Sequence, residues 1–268
     1  MKKGGGRRAE ARGATDALHP LRDAQRARYS RHLLLPGFAE AGQRRLLAAR
    51  VLIVGLGGLG SPVAMYLAAA GVGELLLADF DAVDLSNLQR QILHTTGRVG
   101  ASKVDSAVAA LGALNPEVSL VPVKGALGSD RLAELAGQVD LVCDCSDNFG
   151  TRDAVNAACV AAGTPLVSGA AIRTEGQIAC FSGQPGAPCY RCLYPNLGEA
   201  GETCAREGVL APLVGIIGSM QATEAIKILT RLGEPLFGRL LLLDALSMEW
   251  RSLRIPADPE CAVCGGCA

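Results

Sequence analysis

The sequence is short of aromatic residues and has no excess of charge of either sign. Phe, Trp and Tyr together make up 4% of its 268 residues, and 26 Lys and Arg residues balance 26 Asp and Glu residues. Without a basic excess, general nucleic-acid binding is excluded, because that binding neutralises phosphates. A chain that is 49% hydrophobic and 19% charged does not belong to the disordered class either. With few aromatics, the core must consist of Ala, Leu, Val and Ile, which is typical of helices packed on a buried parallel sheet.

The sequence also lacks a recognisable secretory signal and a convincing membrane span. Its start, MKKGGGRRAEARG, is basic, but no apolar stretch follows it. Residues 51–73 carry no charge and are long enough to cross a bilayer, but six glycines and Pro62 interrupt them. We interpret this segment as a strand, a tight turn and a helix inside a soluble core. We therefore expect a cytoplasmic protein without membrane or nucleic-acid partners.

Strand and helix patterns alternate along most of the chain, which predicts an α/β fold. Residues 1–26 are rich in Gly, Arg and Ala and are expected to form a flexible N-terminal arm, and residues 27–268 a single domain. Strands separated by helices predict a Rossmann-like, doubly wound, mostly parallel sheet, followed by a mixed or antiparallel extension at the carboxyl end. The predicted strands are 51–54, 75–79, 118–123, 140–145, 166–168, 177–181, 239–243 and 249–255. The predicted helices are two short ones within 28–47, then 60–70, 102–114, 130–136, 151–162 and 215–232.

A glycine-rich turn follows the first predicted strand. Gly55, Gly57, Gly58 and Gly60 form a GxGGxG pattern between that strand and a helix. Glycines allow the backbone to turn sharply and to approach a phosphate closely, and the helix N-terminus offers free N–H groups to the anion. Asp79 closes the next strand at the distance expected of a ribose-binding carboxylate. The pattern predicts nucleotide binding, although a close contact between helix and strand would need the same small residues.

Polar and charged residues that follow the second and fourth strands indicate which nucleotide is bound. Cationic and amide donors around a glycine turn suit a triphosphate better than the pyrophosphate bridge of a dinucleotide, and a carboxylate that faces a triphosphate is suited to hold Mg²⁺. Carboxyl ends of strands line the binding crevice of a doubly wound sheet, so these residues should meet there. They are Asp81, Asn87, Arg90, Gln91 and Lys103 after the second strand, and Asp147 and Asn148 after the fourth.

Taken together, the motifs resemble those of the MoeB/ThiF family, the prokaryotic relatives of ubiquitin-activating enzymes. The resemblance runs in order from Arg28 to Gly265 and therefore covers nearly the whole chain. The motifs that carry it are RYSRH, GLGGLG, DFDxVxxSNLxRQ, the helix start at Lys103, DCSDN, SGAAIRTEGQ, CYRC and CxVCG.

The resemblance implies ATP-dependent adenylation of the C-terminal glycine carboxylate of a small ubiquitin-like sulfur carrier that ends in two glycines. Asp79 would hold the ribose, while Asn87, Arg90 and Lys103 would hold the phosphates. Arg31 would act across a homodimer interface, and Asp147 would be the catalytic aspartate associated with Mg²⁺. A terminal carboxylate is already ionised at neutral pH, so the reaction needs no general base. The three histidines, His19, His32 and His94, are accordingly not expected to act as bases.

Ten cysteines in 268 residues are spread too thinly for a small disulfide-rich domain, and their spacing divides them into groups. Two CxxC pairs, Cys189 with Cys192 and Cys261 with Cys264, can form a closed tetrahedral shell around a structural Zn²⁺ that pins the C-terminal tail. The resemblance places zinc at these same four positions. Ligation by Cys264 and Cys267 and a redox-active CxxC pair are the alternatives. Four further cysteines stand singly in apolar runs and are expected to be small buried residues: Cys143, Cys145, Cys159 and Cys180.

Cys204 lies in a polar, glycine-bearing stretch near Arg206 and is the remaining candidate for chemistry. A thiol beside a cation is prone to ionise and to act as a nucleophile. In relatives, a cysteine of this region links covalently to the carrier in some branches and is dispensable in others. A catalytic role and no role at all are therefore equally compatible with the sequence.

Two other functions share some of these features. The hypothesis of an NAD-dependent Rossmann oxidoreductase rests only on the glycine turn and Asp79, and a non-catalytic zinc scaffold would bind a carrier without activating it. Within the family, SGAAIRTEGQ and CYRC favour the molybdopterin branch, whereas RYSR and the late WRSL resemble the thiamine branch. No sulfurtransferase domain follows Gly265, so we expect a separate sulfurtransferase or cysteine desulfurase to supply the sulfur.

Overall fold

An eight-stranded sheet forms the centre of the computed structural model, which describes residues 20–195 and 207–265. The strands are β1 (Arg50–Val54), β2 (Glu74–Asp79), β3 (Ser119–Lys124), β4 (Leu141–Asp144), β5 (Leu166–Ile172), β6 (Glu175–Phe181), β7 (Arg239–Asp244) and β8 (Glu249–Arg254). Their order across the sheet is β3-β2-β1-β4-β5-β6-β7-β8. The strands from β3 to β5 pair in parallel, and those from β5 to β8 pair antiparallel. The predicted parallel sheet with an antiparallel extension at the carboxyl end is thus confirmed.

Helices cover both faces of the sheet. In the described residues they are α1 (Asp23–Arg28), α2 (Ser30–Leu33), α3 (Ala39–Ala48), α4 (Gly60–Ala70), α5 (Lys103–Leu114), α6 (Ser129–Ala136), α7 (Phe149–Ala162), α8 (Tyr190–Leu193) and α9 (Ala211–Thr230). One hydrophobic core lies between the sheet and α3, α4, α5 and α9, and a second lies under α6 and α7. Both cores are mainly aliphatic, as the scarcity of aromatic residues predicts.

The uncharged segment 51–73 is a strand, a turn and a helix, as the sequence predicts. β1 is buried between two parallel neighbours, β2 and β4. α4 ends at Gly71, whose left-handed φ of 85° suits a residue without Cβ. Buried strand and buried helix together explain a long run without charge.

Some elements differ from the predicted ones. β5 extends beyond the predicted Ser168 to Ile172 because β6 folds back on it and supplies antiparallel partners where β4 has ended. α1 begins at Asp23, within the segment assigned to the arm. There the Arg22 N–H donates to Gln25 Oε1 at 3.1 Å, and Gln25 donates in turn to Glu117 at 3.1 Å, which ties the start of the helix to the domain. Residues 1–19 of the arm lie outside the described residues.

Candidate functional site

A cavity opens at the carboxyl ends of β1, β2 and β4, and we call it the central cavity. The strand order reverses at β1, and doubly wound sheets bind their ligands at such a switch point because the connecting loops diverge there. Its lining includes ten residues that the sequence singled out, drawn from three loops and one helix start: Gly55, Gly57, Gly58, Asp79, Asp81, Arg90, Gln91, Lys103, Asp147 and Asn148.

The glycine turn, residues 55–60, is held by its own close packing and by Asp79. Gly55 has a φ of 92°, which L side chains rarely adopt. A Cβ at Gly60 would stand 1.9 Å from the Gly55 carbonyl oxygen, so the turn admits no side chain there. The Leu56 N–H donates to Asp79 Oδ2 at 2.7 Å, and the Asp81 N–H donates to Asp79 Oδ1 at 2.8 Å. Asp79 therefore ties the turn to the end of β2, and its oxygens keep lone pairs for a ribose hydroxyl.

Neighbouring side chains hold two of the cations that line the cavity, Lys103 and Arg90, in place. Lys103 Nζ lies 2.7 Å from Asp81 Oδ2, with the lysine side chain 6% exposed and the aspartate 50% exposed. Arg90 Nη2 donates to Asn87 Oδ1 at 2.7 Å. Asn87 thus stands behind Arg90 and orients it, rather than lining the described part of the cavity itself. Cations fixed in this way stabilise an anion without having to reorganise when it arrives.

Gln91 adds a polar wall to the cavity. The residue is 5% exposed, and within the described residues its Oε1 has no hydrogen-bond partner. A buried polar atom without a partner is unfavourable, so the cavity is suited to a ligand that donates a hydrogen bond.

The loop after β4 presents one carboxylate to the cavity. Asp147 is exposed there, and no hydrogen-bond or ion-pair partner for it occurs among residues 20–195 and 207–265. Asn148, by contrast, caps helix α7, because its Oδ1 accepts from the Thr151 N–H at 2.8 Å. Asp147 is therefore the free acidic group of this loop, and Asn148 fixes where the loop ends.

A buried ion pair beneath this loop was missed by the sequence analysis. Arg152 Nη1 lies 3.6 Å from Asp144 Oδ2, with their side chains 6% and 0% exposed. Asp144 also accepts from Ser146 Oγ at 2.6 Å and from Ser168 Oγ at 3.0 Å. The signal was present in the helical spacing, since Arg152 lies on the same face of α7 as the buried Val155 and Cys159. The pair fixes the start of the segment that carries Asp147.

Other predicted site residues lie elsewhere. Gly60 is buried in the turn rather than in the lining of the cavity. Arg31 is exposed on α2 and lines a separate groove with Tyr66 and Thr223, so one chain alone does not bring it to the central cavity. Cys204 and Cys267 fall outside the described residues.

The two CxxC pairs come together at one corner of the domain and form the four-cysteine cluster. Its sulfur atoms, those of Cys189, Cys192, Cys261 and Cys264, all lie within 4.8 Å of one another. The Sγ atoms of Cys189 and Cys261 are 3.7 Å apart, and those of Cys192 and Cys264 are 3.4 Å apart. Four thiolates bound tetrahedrally to Zn²⁺ with bonds of ~2.3 Å stand about 3.8 Å apart. The cluster therefore has the composition and spacing of a metal site.

Neighbouring donors already point at these sulfurs. Asn156, fully buried on α7, donates to Cys189 Sγ at 3.5 Å and accepts from the Tyr190 N–H at 2.9 Å. The Asp258 N–H donates to Cys192 Sγ at 3.5 Å. Donors to the sulfur are a regular second layer around metal-bound thiolates. Asn156, which the sequence analysis did not single out, thus connects the cluster to the core.

The four single cysteines are buried, as predicted. Burial raises the pKa of the thiols of Cys143, Cys145, Cys159 and Cys180 far above the usual range, because an ionised thiolate would lose its hydration. Cys145 also lines the central cavity.

Residues 29–263 match the ThiF family. The chain belongs to this family. It is 51% identical over 245 residues to the molybdopterin-synthase adenylyltransferase of Escherichia coli K12, covering 91% of this chain and 98% of that relative. It is 45% identical over 246 residues to the sulfur carrier protein ThiS adenylyltransferase of the same organism, covering 92% and 98%. Among solved structures, Escherichia coli MccB with ATP is similar, with a TM-score of 0.78, 25% identity and coverage of 89% of this chain and 73% of that one. The family resemblance of the sequence is thereby confirmed.

No helix in the described ranges of this ThiF-family chain is both long and apolar enough to cross a membrane.

Proposed function

We propose that this chain adenylates the C-terminal glycine carboxylate of a small ubiquitin-like sulfur-carrier protein. A carboxylate oxygen attacks the α-phosphorus of ATP, the bond from that phosphorus to its bridging oxygen breaks, and pyrophosphate leaves with the electron pair. The observation that carries the proposal is the convergence of Lys103, Arg90 and Asp147 with the glycine turn on one cavity of a ThiF-family chain. The names of both Escherichia coli relatives support the same activity.

The chemistry requires charge neutralisation rather than proton transfer. The attacking carboxylate has a reference pKa of about 3.5 and is ionised at neutral pH. The barrier comes from bringing one anion to another and from the charge that develops on the leaving pyrophosphate. Lys103 and Arg90 offset that charge, and both are already oriented by Asp81 and Asn87.

The remaining residues of the cavity position the nucleotide. Asp79 accepts from the ribose hydroxyls, and the glycine turn approaches the phosphates. Asp147 and Asn148 face the triphosphate from the loop after β4, and the free carboxylate of Asp147 suits a hard cation such as Mg²⁺. When bound, Mg²⁺ would neutralise phosphate charge and hold the leaving group in line.

A second groove continues from the central cavity along the antiparallel part of the sheet. The two share Ala170, Ala171 and Ile172, and the groove runs on past Gly176 and Gln177 to β7 and β8. Such a groove suits an extended, unbranched tail, and a tail that ends in two glycines places its carboxylate at the α-phosphate. We assign this groove to the carrier.

Arg31 completes the site in a homodimer. Its exposed position in a separate groove fits an arginine that serves the cavity of a second copy. Cys204, outside the described residues, stays a candidate for a covalent link to the carrier.

The four-cysteine cluster holds a structural Zn²⁺. A shell of four thiolates has no open position for a water or a substrate, so the metal contributes stability rather than catalysis.

The molybdopterin carrier is the first candidate substrate and the thiamine carrier the second. Sulfur then comes from a separate cytoplasmic sulfurtransferase or cysteine desulfurase.

ATP–pyrophosphate exchange tests the proposal. The full chain is incubated with ATP, labelled pyrophosphate and each purified carrier, and the carrier is weighed by mass spectrometry for an added AMP. Exchange should require a carrier with an intact diglycine end, and Asp147→Ala should abolish it, whereas Asp130→Ala, an exposed carboxylate on α6, should not. Exchange that survives Asp147→Ala would contradict the assignment of that residue. Binding of a nicotinamide dinucleotide without any binding of ATP would favour an oxidoreductase instead.

A further inference from the structure

His94 stands directly behind the glycine turn. It is 5% exposed, and both of its ring nitrogens have partners on different elements. Nε2 lies 2.9 Å from the Leu56 carbonyl oxygen, and Nδ1 lies 2.9 Å from Ser106 Oγ on α5. A carbonyl oxygen only accepts, so Nε2 carries the proton and Nδ1 accepts from the serine hydroxyl. The ring thus links the turn to the helix that carries Lys103, one turn before Ser106.

Leu56 is held at both of its backbone polar atoms, which belong to two successive peptide groups. Its N–H, in the Gly55–Leu56 peptide, donates to Asp79, and its carbonyl, in the Leu56–Gly57 peptide, accepts from His94. The bond from Leu56 to Gly57 is a trans peptide, in which the carbonyl and the following N–H point in opposite directions. Because His94 holds the carbonyl toward the core, the Gly57 N–H points away from it, and Gly57 lines the central cavity.

The Gly57 N–H is available to a ligand. Among the described residues it has no hydrogen-bond acceptor, whereas the carbonyl of Gly57 accepts from both the N–H and the hydroxyl of Ser61, at 2.9 Å and 2.7 Å. Peptide groups that precede glycine flip easily, because glycine accepts backbone angles on both sides of the map. A flip here would replace the N–H by a carbonyl oxygen and would repel a phosphate.

We propose that His94 is a positioning residue that locks the Leu56–Gly57 peptide so that the Gly57 N–H faces the phosphates of the bound nucleotide. The inference rests on the proposed nucleotide site and deepens it. Its consequence is selective: without the Nε2 donor, affinity for the phosphates falls while affinity for the nucleoside does not.

Two amide substitutions separate the contacts of the two ring nitrogens. The amide nitrogen of glutamine stands as many bonds from Cβ as Nε2 of histidine, and the amide of asparagine stands as many bonds from it as Nδ1. His94→Gln should therefore keep the donor to Leu56, whereas His94→Asn keeps a polar group toward Ser106 and loses that donor. Binding of ATP and of adenosine is measured by calorimetry for the full chain and both variants, with urea unfolding to confirm that each is folded.

We expect His94→Asn to bind ATP at least about tenfold more weakly, since a hydrogen bond to a charged group is lost, and to bind adenosine like the wild type. His94→Gln should stay close to the wild type for both ligands. Equal weakening toward ATP and adenosine, or identical binding by the two variants, would overturn the positioning role. A wild type that binds no ATP would overturn the nucleotide site as well, so the two failures are distinguishable.

A measurement on the wild type alone covers the case in which His94→Asn does not fold. In a chain labelled with ¹⁵N-glycine, the Gly57 amide resonance should move on addition of ATP and much less on addition of adenosine. An amide that responds equally to both ligands would contradict the inference.

Discussion

The central cavity and the four-cysteine cluster are both built from polar side chains, but they are organised in opposite ways. In the cavity, Lys103 and Arg90 are paired with Asp81 and Asn87, while the carboxylate of Asp147 and the Gly57 N–H are left available. In the cluster the four sulfurs face one another within 4.8 Å and are supported by donors from the core. One arrangement is open toward a ligand, and the other is closed on itself.

The two sites also differ in what they contribute to the fold. The cavity residues sit on loops whose positions the sheet already fixes, so their side chains can change without loss of the fold. The cluster joins segments 72 residues apart in the sequence, one next to α7 and the other after the end of β8. We therefore expect changes at the cluster to act on stability and changes at the cavity to act on the reaction.

Removing a cluster ligand should have the largest effect. Cys192→Ala, or treatment with a strong chelator, should lower the free energy of unfolding by about 4 kcal/mol or more, because the metal ties two distant segments. Urea unfolding together with metal analysis measures this. Cys159→Ala, a buried cysteine outside the cluster, is the control and should retain the metal. Full stability after metal loss would show that the cluster is not a structural site.

The second-largest effect is expected from breaking the buried ion pair of Arg152 and Asp144 beneath the cavity. This change tests whether residues next to the cavity also contribute to the stability of the chain. Arg152→Met keeps much of the side-chain volume but leaves Asp144 buried and charged, which should destabilise the chain by about 3–5 kcal/mol. The double variant with Asp144→Asn should recover most of the loss, as measured by urea unfolding. A double variant no more stable than Arg152→Met would show that the charge of Asp144 is not what makes the single variant unstable.

Lys103→Met should affect the reaction and leave the fold intact. Loss of one fixed cation that faces the developing charge should slow ATP–pyrophosphate exchange by about 10²–10³-fold. The unfolding midpoint should change little, because the aliphatic part of methionine replaces that of lysine and Asp81 is half exposed. Lys124→Met, at an exposed pair with Asp105, serves as the control. If the exchange rate falls equally in both variants, Lys103 has no specific role in the reaction.

The parallel part of the fold was largely predictable because β1, β2 and β4 are short, buried and separated by helices with clear ends. The helix predicted over 151–162 does end at Ala162, where Gly163 follows with a left-handed φ of 69°. What could not be predicted depends on contacts between strands. The extension of β5 to Ile172 needs β6 as its partner, and nothing within 166–172 reports on that partner.

The placement of the candidate site residues was predictable where those residues are close together in the sequence. The residues from Asp79 to Gln91 lie at and directly after the end of one strand. In each CxxC pair, the sequence spacing fixes how far apart the two sulfur atoms can lie. The supporting contacts of Asn156 and His94 were not predictable, because their partners lie 33 and 38 residues away along the chain. Arg152 has a nearby partner, Asp144, and only its helical spacing pointed to a buried position. In the sequence all three are only polar residues within apolar patterns, and such residues occur for many structural reasons.

A smaller effect is expected at the second layer of the cluster. Asn156→Asp keeps an oxygen for the Tyr190 N–H but replaces the donor to Cys189 by a negative charge. Metal affinity should fall by about 10–100-fold, as for other second-layer changes, and competition with a chromophoric chelator measures it. Asp153→Asn, whose half-buried partner Arg191 makes no hydrogen bond to a cluster sulfur among the described residues, should leave the affinity nearly unchanged. Equal affinities for the two variants would argue that Asn156 only packs there.

The smallest effect is expected in the pH dependence of the unfolding free energy, through His94 behind the glycine turn. Burial lowers the pKa of His94 below its usual 6.5, with Lys103 adding to the decrease and the Leu56 carbonyl and Asp79 opposing it. The unfolded chain then binds a proton at a pH where the folded chain does not, so stability is lost as pH falls below about 6.5 and the loss levels off once the folded histidine is also protonated. The side chain introduced by His94→Gln cannot titrate. Between about pH 7 and about pH 5 the wild type should therefore lose unfolding free energy relative to the variant. A constant difference over this range would mean that His94 titrates alike in both states and that the turn behind the phosphates is open to water.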